Sequence, residues 1–167
     1  MKNNQEIISL LLNQENCEIG SKCFYECKSL TKIDIPEKIK SIGEHAFQFC
    51  SSLKEVKMSS SVTKIESDAF RGCSSLKQIT ISPNISYLSS CTFFDCVNLR
   101  KISIPTSVTK IGGLCFIYCC SLKEITIPNS VTEIGNLCFE GCCSLKKIII
   151  PNSVIKIGEN AFHKCFS

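Results

Sequence analysis

Histidine is nearly absent from this sequence: only His45 and His163 could supply an imidazole. The two lie at different positions of the internal repeat described below, so they suggest solvated residues rather than a paired base. Three aspartates and twelve glutamates are scattered without a paired-carboxylate pattern. There is no glycine-rich phosphate loop and no nucleophile elbow. These absences argue against an enzyme and leave no cofactor to expect. Arginine is scarce too, with Arg71 and Arg100 against 17 lysines. Arginine is the better bidentate partner for phosphate and base edges, and the sequence pI is only about 8.4, so a nucleic-acid partner is not expected. No apolar run approaches the roughly 18 residues of a membrane helix. The opening MKNNQEIISLLLNQ has one lysine, then Glu6, and a short apolar stretch from Ile7 to Leu12. That falls short of the roughly 7–15 residues of a signal-peptide core, and an intracellular protein is the expectation.

What is present is a repeat. Phe24, Phe47, Phe70, Phe93, Phe116, Phe139 and Phe162 recur every 23 residues, and so do Cys27, Cys50, Cys73, Cys96, Cys119, Cys142 and Cys165. Leu30, Leu53, Leu76, Leu99, Leu122 and Leu145 form a third series that steps back to Ile7. A fixed period of this length headed by Leu-x-x-Ile-x-Ile marks a solenoid. A lead of residues 1–6 is followed by one domain, 7–167, of seven units starting at 7, 30, 53, 76, 99, 122 and 145.

Each unit divides in two. The first half, as in Leu122 to Ile127, alternates apolar and polar residues with β-branched content and reads as a short strand. Pro36, Pro105, Pro128 and Pro151 stop it, because proline lacks the ladder's donor. The second half carries Val-x-x-Ile-Gly. Gly20, Gly43, Gly112, Gly135 and Gly158 are expected in a turn conformation that side chains adopt at a cost. Phenylalanine three residues before cysteine fits one short helical or 3₁₀ turn facing the core. Stacked strands lie about 4.8 Å apart, and the phenylalanines should form an internal spine. The unit at Leu76 is the least regular after the first: its proline moves to Pro83, and Leu88-Ser89 replaces Ile-Gly.

The stretch IPNSVTEIGNLCFEGCCSLKKIIIP (residues 127–151) closely resembles the BspA-like, or Treponema-type, leucine-rich repeats. The resemblance spans residues 7–167. It implies a right-handed arc with a parallel sheet on its concave side, and hence an α/β solenoid of seven coils with turns or 3₁₀ segments on the convex side. Members occur on bacterial surfaces and are expanded in some protozoan parasites, and several are linked to adhesion and protein binding. The resemblance makes the cell surface the alternative location and carries over no catalytic residues.

In that geometry the polar strand positions face solvent. Thr31, Lys54, Lys77, Arg100, Lys123 and Lys146 form one column; Lys32, Glu55, Gln78, Lys101, Glu124 and Lys147 a second; and Asp34, Lys57, Thr80, Ser103, Thr126 and Ile149 a third. Nine basic residues face three acidic ones, on a chain of net charge +4. Such a strip could steer an acidic protein partner, or it could merely solvate the sheet. Lys54, Lys57, Lys77, Arg100, Lys101, Lys123, Lys146 and Lys147 are the candidate contacts.

The cysteine column reads as small buried thiols. Six thiols, two of them from this column, fall in two stacked coils near the C-terminus. Cys115 and Cys138 stand where other copies carry Ala46, Ala69 and Ala161, Cys119 and Cys142 belong to the column, and Cys120 and Cys143 replace Ser51 and Ser74. Cys-x-x-x-Cys-Cys is not a usual zinc arrangement, so no metal is expected. Cys120 and Cys143 are the expected exposed thiols. No capping segment is expected after the last unit. A fragment, a frayed end and self-association through the uncapped coil are the alternatives, the last supporting a structural protein that stacks end to end. At the other end, Ile8 and Leu11 at exposed strand positions suggest a patch covered by a partner or by residues 1–6.

Overall fold

In the computed structural model, residues 17–165 are described. The chain winds through β1 (Glu18–Ile19), β2 (Lys32–Ile35), β3 (Ser41–Ile42), β4 (Glu55–Met58), β5 (Lys64–Ile65), β6 (Gln78–Thr80) and β7 (Tyr87–Leu88). It continues through β8 (Lys101–Ser103), β9 (Lys110–Ile111), β10 (Glu124–Thr126), β11 (Glu133–Ile134), β12 (Lys147–Ile149) and β13 (Lys156–Ile157). Even-numbered strands line up as a first ladder, bonded in the pairs β2–β4, β6–β8 and β10–β12, and odd-numbered strands as a second, bonded as β1–β3–β5 and β7–β9–β11–β13. All pairs are parallel, with a register offset of one repeat: Ile33 opposite Val56, Ile79 opposite Ile102, Ile125 opposite Ile148. Strict alternation along β2, exposed–buried–exposed–buried, is what the sequence pattern dictates.

The interior is the expected spine. The seven phenylalanine rings stack continuously, with centroids 5.0–5.7 Å apart and planes within 8°. Coil spacing of about 4.8 Å sets this distance, and the slight excess leaves room for the ring offset that aromatic quadrupoles prefer. Beside the spine run the buried leucines and the cysteine column, buried from Cys50 to Cys165. Each of these thiols donates to a phenylalanine carbonyl of an earlier coil, as Cys73 Sγ does to Phe47 O at 3.2 Å and Cys96 Sγ to Phe70 O at 3.2 Å.

Three expectations need correction. The α/β assignment fails, since no helix and no 3₁₀ segment forms among the described residues. The reason is visible in the turn before each cysteine. Cys23, Tyr25 and Cys27 N–H groups bond within the coil to Gly20, Lys22 and Phe24, whereas Lys22, Phe24 and Glu26 N–H groups donate to Glu44, Ala46 and Gln48 of the next coil. A helix would need all of these donors for itself; here alternate ones hold the coils together.

The count of seven coils also falls, to six complete ones. The first ladder has six strands among the described residues, and the strand expected at Ile7 lies outside them. So do Ile8, Leu11 and the segment 1–6 that were expected to meet there.

The third correction concerns glycine. The Ile-Gly column does not adopt a left-handed backbone; among glycines only Gly72 and Gly141 do. The column is glycine because neighbouring backbones nearly touch. A Cβ on Gly135 would lie 2.3 Å from Gly113 N and 2.7 Å from Gly112 C. In the irregular coil, Ser89 takes this place, is buried, and its hydroxyl donates to Ile65 O at 2.5 Å. That carbonyl corresponds to the one that the Gly112 N–H finds at Leu88.

Candidate functional site

All eight candidate contacts are exposed: Lys57, Lys101 and Lys147 lie in β4, β8 and β12 at positions that alternate with the inward Ile and Val, while Lys54, Lys77, Arg100, Lys123 and Lys146 stand immediately before the strands of the first ladder. They do not behave alike. At the N-terminal end, Lys32 Nζ lies 3.5 Å from Glu55 and 3.9 Å from Asp34, and Lys57 Nζ lies 3.9 Å from Glu55. Two lysines and two carboxylates there neutralise one another, and Lys57 belongs to that network. Beyond it, Lys77, Arg100, Lys101, Lys123, Lys146 and Lys147 share the face with one carboxylate, Glu124, in register with Lys147. Among the described residues no ion pair forms in that C-terminal part of the strip. Charges repeated at strand spacing with little compensation give a local field stronger than the net charge suggests.

The second ladder holds a feature that sequence reasoning missed. A shallow cleft of about 340 Å³ runs over Gly112, Gly135 and Gly158, beside Tyr87 and Asn136. Lys110 and Glu133 pair across its wall at 3.4 Å. Its floor is bare backbone. The Ile-Gly column was the available signal, but it reads as a turn until the close approach of the coils is seen.

The cysteines separate into two populations. Cys115 and Cys138 are fully buried in the alanine column, as expected from small apolar packing. Burial pushes the thiols of Cys73, Cys96, Cys119 and Cys142 upward, and Cys50 is pushed up to about 12. Cys120 is half-buried and Cys143 exposed. The histidines remain apart: His45 Nε2 lies 3.4 Å from the carboxylate of Glu44, and His163 is exposed two residues before the end of the described chain. Among the described residues no group of three metal-ligating side chains gathers, and no helix is long and apolar enough to cross a membrane.

A sequence profile of the BspA type leucine rich repeat region matches residues 2–123 and 52–167, with six copies. Among solved structures, a T. pallidum leucine rich repeat protein is 30% identical, with a TM-score of 0.85 over 89% of this chain and 69% of that one. A leucine-rich repeat protein from Bacteroides ovatus is 30% identical, with a TM-score of 0.69 over 88% of this chain and 44% of that one. A leucine rich cell surface protein from Faecalibacterium prausnitzii is 26% identical, with a TM-score of 0.60 over 87% of this chain and 55% of that one. The chain thus spans about half the length of the last two. No curated protein matches it.

Proposed function

We propose, for a chain that belongs to the BspA-type leucine-rich-repeat family, that its first-ladder face binds a protein and favours an acidic one. Leucine-rich-repeat solenoids are in general protein-interaction scaffolds, and the finer reading rests on one observation. Lys77, Arg100, Lys101, Lys123, Lys146 and Lys147 are all exposed, and from Lys77 onward Glu124 is the one acid in their columns. Lys54 extends this row toward the neutralised end. Lys57 contributes less, because Glu55 already occupies it. The role is binding, not catalysis.

The test uses a polyglutamate peptide as the probe in fluorescence anisotropy. Reversing Lys77, Arg100 and Lys123 to Glu abolishes binding and leaves the melting temperature unchanged, because exposed charges contribute little to stability. Binding that survives the triple reversal, or a wild-type protein that ignores the peptide, overturns the reading. Duplex DNA of equal charge serves as the competitor, and preference for DNA would reassign the strip to nucleic acid.

A second reading, self-association, is favoured by a different observation. Ile149 and Ile155 are 64% and 83% exposed, in columns where earlier coils carry Thr126 and Thr132. Concentration-dependent sedimentation that disappears in an I149T/I155T variant supports it; a monomer at all concentrations removes it. Setting is a further part of the proposal. An intracellular scaffold keeps its thiols reduced, whereas a surface protein, as the F. prausnitzii relative is described, meets oxidants.

A further inference from the structure

We propose that Cys120 and Cys143 form a redox clasp, a disulfide between adjacent coils made by exchange with a low-molecular-weight disulfide. The two residues are one repeat apart and occupy the same position in neighbouring coils. Four residues further on, Glu124 pairs in parallel register with Lys147, so the columns are aligned. Adjacent parallel strands put equivalent Cα atoms about 4.8 Å apart, inside the roughly 4.4–6.8 Å that a disulfide spans. The thiols converge on one acceptor. Cys120 Sγ lies 3.5 Å from Gly141 O and Cys143 Sγ lies 3.2 Å from the same oxygen.

Gly141 explains the approach. Its backbone is left-handed, with φ 70°, and a Cβ there would strike the Tyr118 ring at 2.5 Å. A glycine therefore lets Tyr118 lie over this turn and leaves one carbonyl facing both sulfurs. Other cysteine pairs are stacked in the same register, among them Cys119 with Cys142 and Cys115 with Cys138. All four are fully buried, and a small disulfide has no path to them. Only the outer pair combines register with solvent access.

The chemistry balances with glutathione disulfide as the oxidant. The Cys143 thiolate attacks one glutathione sulfur, forms a mixed disulfide and releases a first glutathione thiolate. Cys120, deprotonated, then attacks Cys143 Sγ; the protein disulfide forms and the second glutathione leaves. Two protein thiols are oxidised, one small disulfide is reduced to two thiols, and the two protons pass through solvent to the departing glutathiones. Burial, and next the neighbouring Cys143, raise the Cys120 thiol above its ordinary value, so the closing step accelerates with pH.

Serine stands at this position in two earlier coils, as Ser51 and Ser74, so C120S and C143S are substitutions the coil already accommodates. Native full-length protein is incubated with glutathione disulfide, alkylated in denaturant and analysed by intact mass and peptide mapping. The expected wild-type product has lost the mass of two hydrogens and carries a linked Cys120–Cys143 peptide. C120S stops at a glutathione adduct on Cys143, and C143S does not form the clasp. A wild-type adduct that never resolves overturns the proposal, as does a bond mapped to another pair such as Cys23–Cys27. So does a folded protein that stays inert while the denatured chain reacts.

Discussion

Two columns run side by side through every coil, two residues apart. One carries phenylalanine in each copy, from Phe24 to Phe162. The other carries Lys22, His45, Asp68, Cys91, Leu114, Leu137 and Asn160, six residue types in seven copies, yet all hold nearly the same left-handed backbone, with φ from 53° to 59°. The first column is inside and fills a space of fixed shape, so the side chain is fixed. The second lies on the turn, and what it supplies is a donor. Each of its N–H groups through Leu137 bonds to the carbonyl 22 residues on, in the next coil. Stacking thus imposes a conformation that costs roughly 1–2 kcal/mol per side-chain-bearing residue and offsets it with inter-coil bonds. Repetition of structure requires repetition of sequence only where side chains meet side chains.

The largest effect should come from the inner thiols, which act together. Below pH 9 both folded and unfolded chains keep their thiol protons. Above it the unfolded chain releases them, while burial holds Cys50 protonated to about 12 and keeps Cys73, Cys96, Cys115, Cys119, Cys138 and Cys142 above the ordinary value of 9.0. The unfolded state then binds fewer protons, so stability falls as pH rises, by about 1.4 kcal/mol per pH unit for each fully buried thiol. Seven such residues together should unfold the protein outright in mild alkali. Denaturant titrations under reductant at pH 8, 9 and 10 measure the slope. Cys73→Ala should flatten it by one thiol's share. A stability that stays level from pH 8 to 10 would show that the inner column is not dry.

Cutting the spine comes next. Phe93 is fully buried and stacks on Phe70 at 5.7 Å and on Phe116 at 5.5 Å. Phe93→Ala should cost about 3–5 kcal/mol. A repeat protein draws its stability from neighbouring coils, so the loss should spread to both flanking units. Hydrogen exchange would show faster opening at Leu76–Leu122 rather than at one coil. Protection lost in a single coil would mean that the rings pack singly and the stack transmits nothing.

Much of this was legible beforehand. The Phe, Leu and Cys columns, the alternating strand and the buried Cys115 and Cys138 follow from apolar periodicity, which reports which side chains face inward. The lysine columns were legible as positions, and Glu55 and Lys57 are near neighbours within β4, but the wider network depends on the one-repeat register that sets Lys32 opposite Glu55 and Asp34 opposite Lys57. The turn was not legible. Left-handed residues are normally announced by glycine or asparagine, and Leu114 or Tyr118 carries no such signal. The glycines that do appear in the Ile-Gly column mark close backbone approach, which no single coil reveals. A 3₁₀ reading of Phe-x-x-Cys followed from spacing within one repeat, whereas the deciding hydrogen bonds run between repeats.

The smallest effect sharpens the contrast most, because one substitution should change sign with its column. Lys22 is exposed, with φ 56°, and its N–H donates to Glu44 O at 3.0 Å. Lys22→Gly keeps that bond and relieves the left-handed strain of about 1–2 kcal/mol. It adds the entropy glycine loses on folding, about 0.5–1 kcal/mol. The net outcome should be stabilisation of about 0.5–1 kcal/mol. Lys101 is equally exposed but lies in β8, opposite Gln78, in an ordinary strand conformation. Lys101→Gly has no strain to relieve and should destabilise by about 0.5–1 kcal/mol. Matched urea titrations of the two variants give the signs directly. If both destabilise alike, the turn column is not strained and its mixed composition needs no compensation from the neighbouring coil. Opposite signs would locate the strain of this solenoid in its turns, where inter-coil hydrogen bonds and not residue identity keep the backbone in place.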